Sequence, residues 1–125
     1  MKKKTFVTMM LVLMLSITSF TTAYAQSSGF NLVSGMTSAS TSRVSVSSSE
    51  QLGVNIFMRL SNNTPVTYTI FKSGVAYSSG SLSTSTRFLE KKFNVPAGDY
   101  SVRVYCNSKS SPKTSCEVNG NIQDY

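Results

Sequence analysis

Two cysteines, Cys106 and Cys116, are the residues whose spacing most directly implies chemistry. A redox pair of the thioredoxin kind would be spaced Cys-x-x-Cys. Nine intervening residues instead favour a structural disulfide closing a short loop. Chain-entropy reasoning gives such a loop roughly 3 kcal/mol. Nucleophilic catalysis has less to work with. The 125 residues contain no histidine, which removes Ser-His and Cys-His mechanisms and every His-ligated metal. No Gly-x-Ser-x-Gly elbow occurs among the serines.

The acids beyond residue 25 are Glu50, Glu90, Asp99, Glu117 and Asp124. Glycoside hydrolysis needs two carboxyl groups across a cleft, and none of these sits in a paired motif. Glu90 lies beside Lys91 and Lys92, as on a solvated strand face. No local acidic cluster suits calcium, and no Cys/His set suits zinc. The expectation is a protein that is not an enzyme and uses neither metal nor cofactor.

Binding is better represented. Phe57 and Arg59, Phe71 with neighbouring Lys72, and Arg103 and Tyr105 are aromatic and basic residues set among alternating aliphatic ones. If their strands are neighbours, these six form one face. Rings stack on sugars, and guanidinium or ammonium groups meet phosphates and carboxylates. The competing reading buries some of these rings under loops or the second sheet.

The elements that must carry these residues are strands. Leu52, Val54, Ile56, Met58 and Leu60 occupy every even position, a period of two that puts them on one face of a strand. Ser61-Asn62-Asn63-Thr64-Pro65 supplies turn chemistry. Val66, Tyr68 and Ile70 alternate next, and Lys72-Ser73-Gly74 turns the chain into Val75 to Tyr77. Ser78-Ser79-Gly80-Ser81 reads as a further turn. Arg87 to Val95 alternates, with Leu89, Phe93 and Val95 sharing a face with Lys91. Pro96-Ala97-Gly98-Asp99 is a compact turn into Tyr100, Val102, Val104 and Cys106. Cys116, Val118 and Ile122 suggest a last strand interrupted by Asn119-Gly120. Arg43 to Ser47 is an earlier short strand, and residues 26–40 read as a loose N-terminus or a first edge strand. Seven or eight short strands at this spacing, with no convincing helix, predict an all-β fold: a small antiparallel β-sandwich with one disulfide.

Residues 1–25 have the parts of a secretory signal peptide. Lys2, Lys3 and Lys4 precede an apolar run from Phe6 to Ile17, and Ala23-Tyr24-Ala25 is a small-x-small cleavage pattern. The run is shorter than the roughly 20 residues a membrane span requires. Without this segment the formal charge falls from +7 to +4, and residues 26–125 form a single Ser- and Thr-rich domain. The three lysines are bacterial in style, and no lipid-accepting cysteine or LPxTG signal follows. A secreted, extracellular protein results, one that associates with a cell wall non-covalently if at all. Nucleic acid is excluded as a partner, because no basic run survives cleavage.

Gly53 to Cys106 resembles the small β-sandwich modules attached to secreted bacterial hydrolases, of the pre-peptidase C-terminal type. The residues that carry the likeness are an apolar strand, the Tyr68-Thr69-Ile70-Phe71 strand with its Gly74 turn, and Val95-Pro96-Ala97-Gly98-Asp99-Tyr100-Ser101-Val102-Arg103-Val104. The disulfide-closed tail and the lack of an attached enzyme depart from that pattern. The resemblance implies an accessory sandwich and assigns no binding residue.

The leading expectation is a non-catalytic sandwich that binds a cell-wall polymer or an extracellular protein. A small secreted inhibitor of a protease or wall hydrolase, or a bacteriocin-like toxin, is the alternative, with Asn107 to Ser115 as the presenting loop. A structural matrix component is a third.

Overall fold

A computed structural model describes residues 26–125, so the proposed signal peptide lies outside the described residues. Those residues form nine strands and no helix. β1 is Ser27–Leu32, β2 Ser38–Ser40, β3 Val44–Val46, β4 Leu52–Met58 and β5 Val66–Lys72. β6 is Val75–Leu82, β7 Phe88–Phe93, β8 Gly98–Cys106 and β9 Val118–Asp124. One sheet, sheet A, has the order β1-β9-β4-β7. The other, sheet B, has the order β2-β8-β5-β6, with β3 also pairing β8. All the pairings are antiparallel.

The all-β expectation holds, with one disulfide. The first segment is an edge strand, since β1 pairs only with β9 among the described residues. β2 and β3 act as one interrupted edge strand along β8. Between them the Thr41 N–H donates to the Val102 carbonyl at 2.9 Å. Val102 N–H donates in turn to Thr41 Oγ1 at 3.0 Å. A side chain thus replaces the backbone acceptor where the strand breaks.

Alternation is what buries the core. Leu52, Val54 and Ile56 of β4 are fully buried, as are Val66 and Ile70 of β5 and Tyr100, Val102 and Val104 of β8. These join Leu32, Val118 and Ile122 between the sheets. Burying each such side chain contributes roughly 1.5–3 kcal/mol. The Tyr100 hydroxyl donates to the Pro96 carbonyl four residues back. The bond has the geometry of a tyrosine corner, and it ties down the β7–β8 connection. The disulfide joins Cys106, at the end of β8, to Cys116, ahead of β9, with Cα atoms 5.6 Å apart. Both cysteines are fully buried in the core cluster.

Three local expectations need correction. Leu60 lies beyond the end of β4 and is 85% exposed, so the aliphatic stripe stops at Met58. Ser78-Ser79-Gly80-Ser81 is no turn but the body of β6. At Gly80 a Cβ would sit 2.4 Å from Tyr68 Oη, so this glycine marks a close approach. β9 likewise runs unbroken through Asn119-Gly120. The expected hairpin does form between β5 and β6, where Ser73 (φ 50°) and Gly74 (φ 81°) both take the left-handed backbone that a type I′ turn requires.

Candidate functional site

The strands divide five of the six aromatic and basic residues between the two outer faces of the sandwich; Lys72 instead falls on the inward side of the β5 pleat, opposite the buried Tyr100. Phe71, Arg103 and Tyr105 come together on sheet B. Phe71 lies opposite Ser101, Arg103 opposite Thr69, and Tyr105 opposite Thr67. The Arg103 guanidinium lies 5.9 Å from the Tyr105 ring centre and donates to Ser38 Oγ at 3.2 Å. Lys72 ends β5 with its stem against Gly98, where a Cβ would lie 2.9 Å from Lys72 Cε. Phe57 is on sheet A, in β4, and Arg59 follows that strand. Arg59 is held at the surface by Glu117, which it meets in an ion pair at 4.0 Å. The single face expected from the sequence is therefore two, with the core between them.

Sheet A carries the more developed surface. Its register sets β4 between β9 and β7: Phe57 faces Asn119 and Phe88, Asn55 faces Asn121 and Glu90, and Gly53 faces Gln123 and Lys92. On β1, Asn31 lies opposite Asn119. On β4 and β9 these outward positions alternate with the buried Val54, Ile56, Val118 and Ile122, so pleating alone aims them at solvent. Asn55 Nδ2 donates to Asn121 Oδ1 at 2.9 Å, which fixes both amides.

Two adjoining grooves lie on this surface. One, of about 360 Å³, is lined by Asn55, Phe57, Glu90, Asn119, Gly120 and Asn121. The second, of about 250 Å³, shares Asn55 and Glu90 and reaches Lys92 and Tyr125. Exposed rings stand at both ends. Phe57 and Phe88 are 46% and 60% exposed at one end, and Tyr125 is 46% exposed at the other. The Tyr125 ring lies across Gly53, where a Cβ would come within 2.0 Å of its Cε2. Lys92 Nζ sits 4.2 Å from the centre of the same ring, a cation–π contact that holds it in place.

Chemically, this face is a row of amides between aromatic ends. An amide offers both a donor and an acceptor, which matches vicinal hydroxyls. A ring offers an apolar face to sugar carbons. Glu90 faces two lysines, Lys91 and Lys92, in the lining of the second groove, so the side chains make this face mildly positive. Asn55, Phe88, Asn121 and Tyr125 are not among the residues singled out from the sequence, and Glu90 and Asn119 enter there only as a solvated acid and a strand interruption. Alternation marks most of them as outward-facing, but only strand adjacency makes them a site. The loop Asn107–Ser115 is exposed and internally tied: Asn107 Nδ2 donates to the Ser111 carbonyl at 2.7 Å, and Lys113 N–H to the Cys106 carbonyl at 3.1 Å. No protein-family model matches this chain, and no curated protein is detectably similar to it.

Proposed function

We propose that this chain is an exported, non-catalytic β-sandwich that binds an extracellular polymer through the outer face of sheet A. The observation that carries the reading is the amide groove bounded by Phe57, Phe88 and Tyr125. Its amides and aromatic ends suit the hydroxyl-rich chains of a cell-envelope polysaccharide, and Lys91 and Lys92 leave the lining mildly positive. The leader-like residues 1–25 and the likeness to accessory modules of secreted hydrolases agree with that role.

The test is co-sedimentation of the purified protein with cell walls and with isolated wall glycans. The Asn55→Ala/Asn121→Ala variant is expected to lose about tenfold or more in affinity, the loss of one or two net hydrogen bonds. The Arg103→Ala/Tyr105→Ala variant, altered on sheet B, is expected to bind as the wild type does. Far-UV circular dichroism checks that both remain folded. Equal recovery of wild type and the sheet A variant would overturn the reading.

The tied, exposed loop Asn107–Ser115 favours a second reading, an inhibitor that presents this segment to a protease or wall hydrolase. Disulfide closure lowers the ordering cost of such a loop on binding. Lack of inhibition across a panel of secreted hydrolases removes it.

A further inference from the structure

The fold brings together two carboxyl groups that lie 74 positions apart in the chain, Glu50 and Asp124. Glu50 closes a tight turn: its N–H donates to the Ser47 carbonyl at 3.1 Å, and Ser47 N–H donates to Glu50 Oε1 at 2.9 Å. Asp124 ends β9, paired with Leu52 of β4, and its N–H donates to the Gln26 carbonyl at 3.1 Å. Its position in the pleat turns it inward, and it is only 8% exposed. Asp124 Oδ1 is wholly buried and meets no hydrogen-bond donor among the described residues.

Both groups line a cavity of about 460 Å³, together with Gln26, Ser47 and Ser49. No lysine or arginine lines it. An unpaired buried carboxylate costs several kcal/mol, and a second carboxylate beside it adds repulsion. Glu50 and Asp124 nevertheless line the same cavity.

We infer that this cavity is a divalent-cation site of the calcium type, with Asp124 and Glu50 as its charged ligands. Two carboxylates balance the charge of the ion, and the Ser47 and Ser49 hydroxyls are further hard oxygen donors. Among the described residues no third acidic side chain converges here, so water completes the shell. Calcium accepts six to eight oxygens in adaptable geometry, whereas magnesium demands a near-ideal octahedron. An open cavity with two anionic ligands therefore selects calcium. It also places the affinity near the 10⁻⁴–10⁻³ M of extracellular modules. The ion ties the Ser47–Glu50 turn to the end of β9. The site shares no residue with the sheet A grooves, so it stands independently of the polymer reading.

Thermal unfolding of EDTA-treated protein, expressed from its full sequence, tests the site as calcium chloride is added. Magnesium chloride and choline chloride of matched ionic strength serve as controls. The expected result is a rise in Tm of several degrees by 10 mM calcium, about tenfold or more above the dissociation constant. Excess EDTA is expected to reverse it and magnesium to reproduce little of it. Glu50→Gln and Asp124→Asn are each expected to abolish the response. Glu50 lies in a surface turn, so its variant stays informative if Asp124→Asn fails to fold. A wild type that does not respond to calcium overturns the inference. In that event, an Asp124→Asn variant more stable than wild type would indicate a proton shared by the pair. A response that survives in Glu50→Gln overturns it as well, by placing the ion elsewhere.

Discussion

Gly120→Ala is the sharpest test of how sheet A is assembled. Gly120 lies in the middle of β9, opposite Phe30 of β1 and Ile56 of β4. A Cβ there would meet the Asn55 carbonyl oxygen at 2.0 Å and Phe30 Cε1 at 2.8 Å. The closer neighbour is backbone in the adjacent central strand, so it cannot swing aside as a side chain would. Relief requires β4 and β9 to part, or Phe30 to leave its place over the glycine. Overpacking of this kind costs about 1–3 kcal/mol, and the backbone clash puts Gly120 at the upper end. The reduced entropy of the unfolded chain returns roughly 0.4–1 kcal/mol. A net loss of about 2 kcal/mol remains, equivalent to roughly 8–16 °C in Tm for a domain this size. Gly29→Ala is the matched control. It lies on the neighbouring strand, opposite Asn121. Its added Cβ would meet only the Gly120 carbonyl oxygen, at an ordinary 3.4 Å. That change is expected to stay within about 0.5 kcal/mol of wild type. Urea unfolding followed by circular dichroism reads both. Equal midpoints for the two variants would refute the close approach of β9 to β4.

Further outcomes follow from the same structure. Thr41→Val keeps the side-chain shape but strips the buried Val102 N–H of its acceptor; a loss of about 1–3 kcal/mol in urea unfolding is expected, and a loss below 0.5 kcal/mol counts against the side-chain splice between β2 and β3. The Cys106→Ala/Cys116→Ala variant opens the loop closed by the disulfide, whose cysteines are 10 positions apart; a loss of roughly 3 kcal/mol is expected, and an unchanged midpoint would assign the stability elsewhere. Burial holds the Tyr68 and Tyr100 hydroxyls above the ordinary tyrosine value of 10.0. Above that pH the unfolded chain releases protons that the folded chain retains, so stability is present below pH 10 and falls as the pH rises past it. Thermal scans either side of pH 10 check this, and a Tm that holds steady or rises contradicts it.

Much of the fold was legible in the residue pattern. Hydrophobic alternation is a local signal, and it placed Val44 and Val46, Leu52 to Met58, and Tyr100 to Cys106 on buried faces without knowledge of their partners. Where local signals failed, a distant residue had overruled them. Gly80 reads as a turn until Tyr68 is seen to need its missing side chain. Gly120 reads as an interruption until Phe30 and β4 close over it. Leu60 continues the even-numbered stripe in sequence, but β4 ends two residues before it.

The candidate sites were far less legible. Phe57 and Arg103 carry similar signals, since each is an outward residue in an alternating strand. Consecutive strands here cross between sheets at most connections, so the two fall on opposite faces. Asn55 and Asn121 are 66 residues apart and bond directly, and Glu50 reaches Asp124 across a similar span. The amino-acid order by itself determined the strands, the outward or inward sense of most side chains, the disulfide and the absence of histidine chemistry. These depend on neighbours two positions away or on composition. Only the tertiary structure decided which outward residues share a surface and which carboxylates meet. Those depend on the order of strands in each sheet, a long-range choice made by packing two amphipathic sheets around one core.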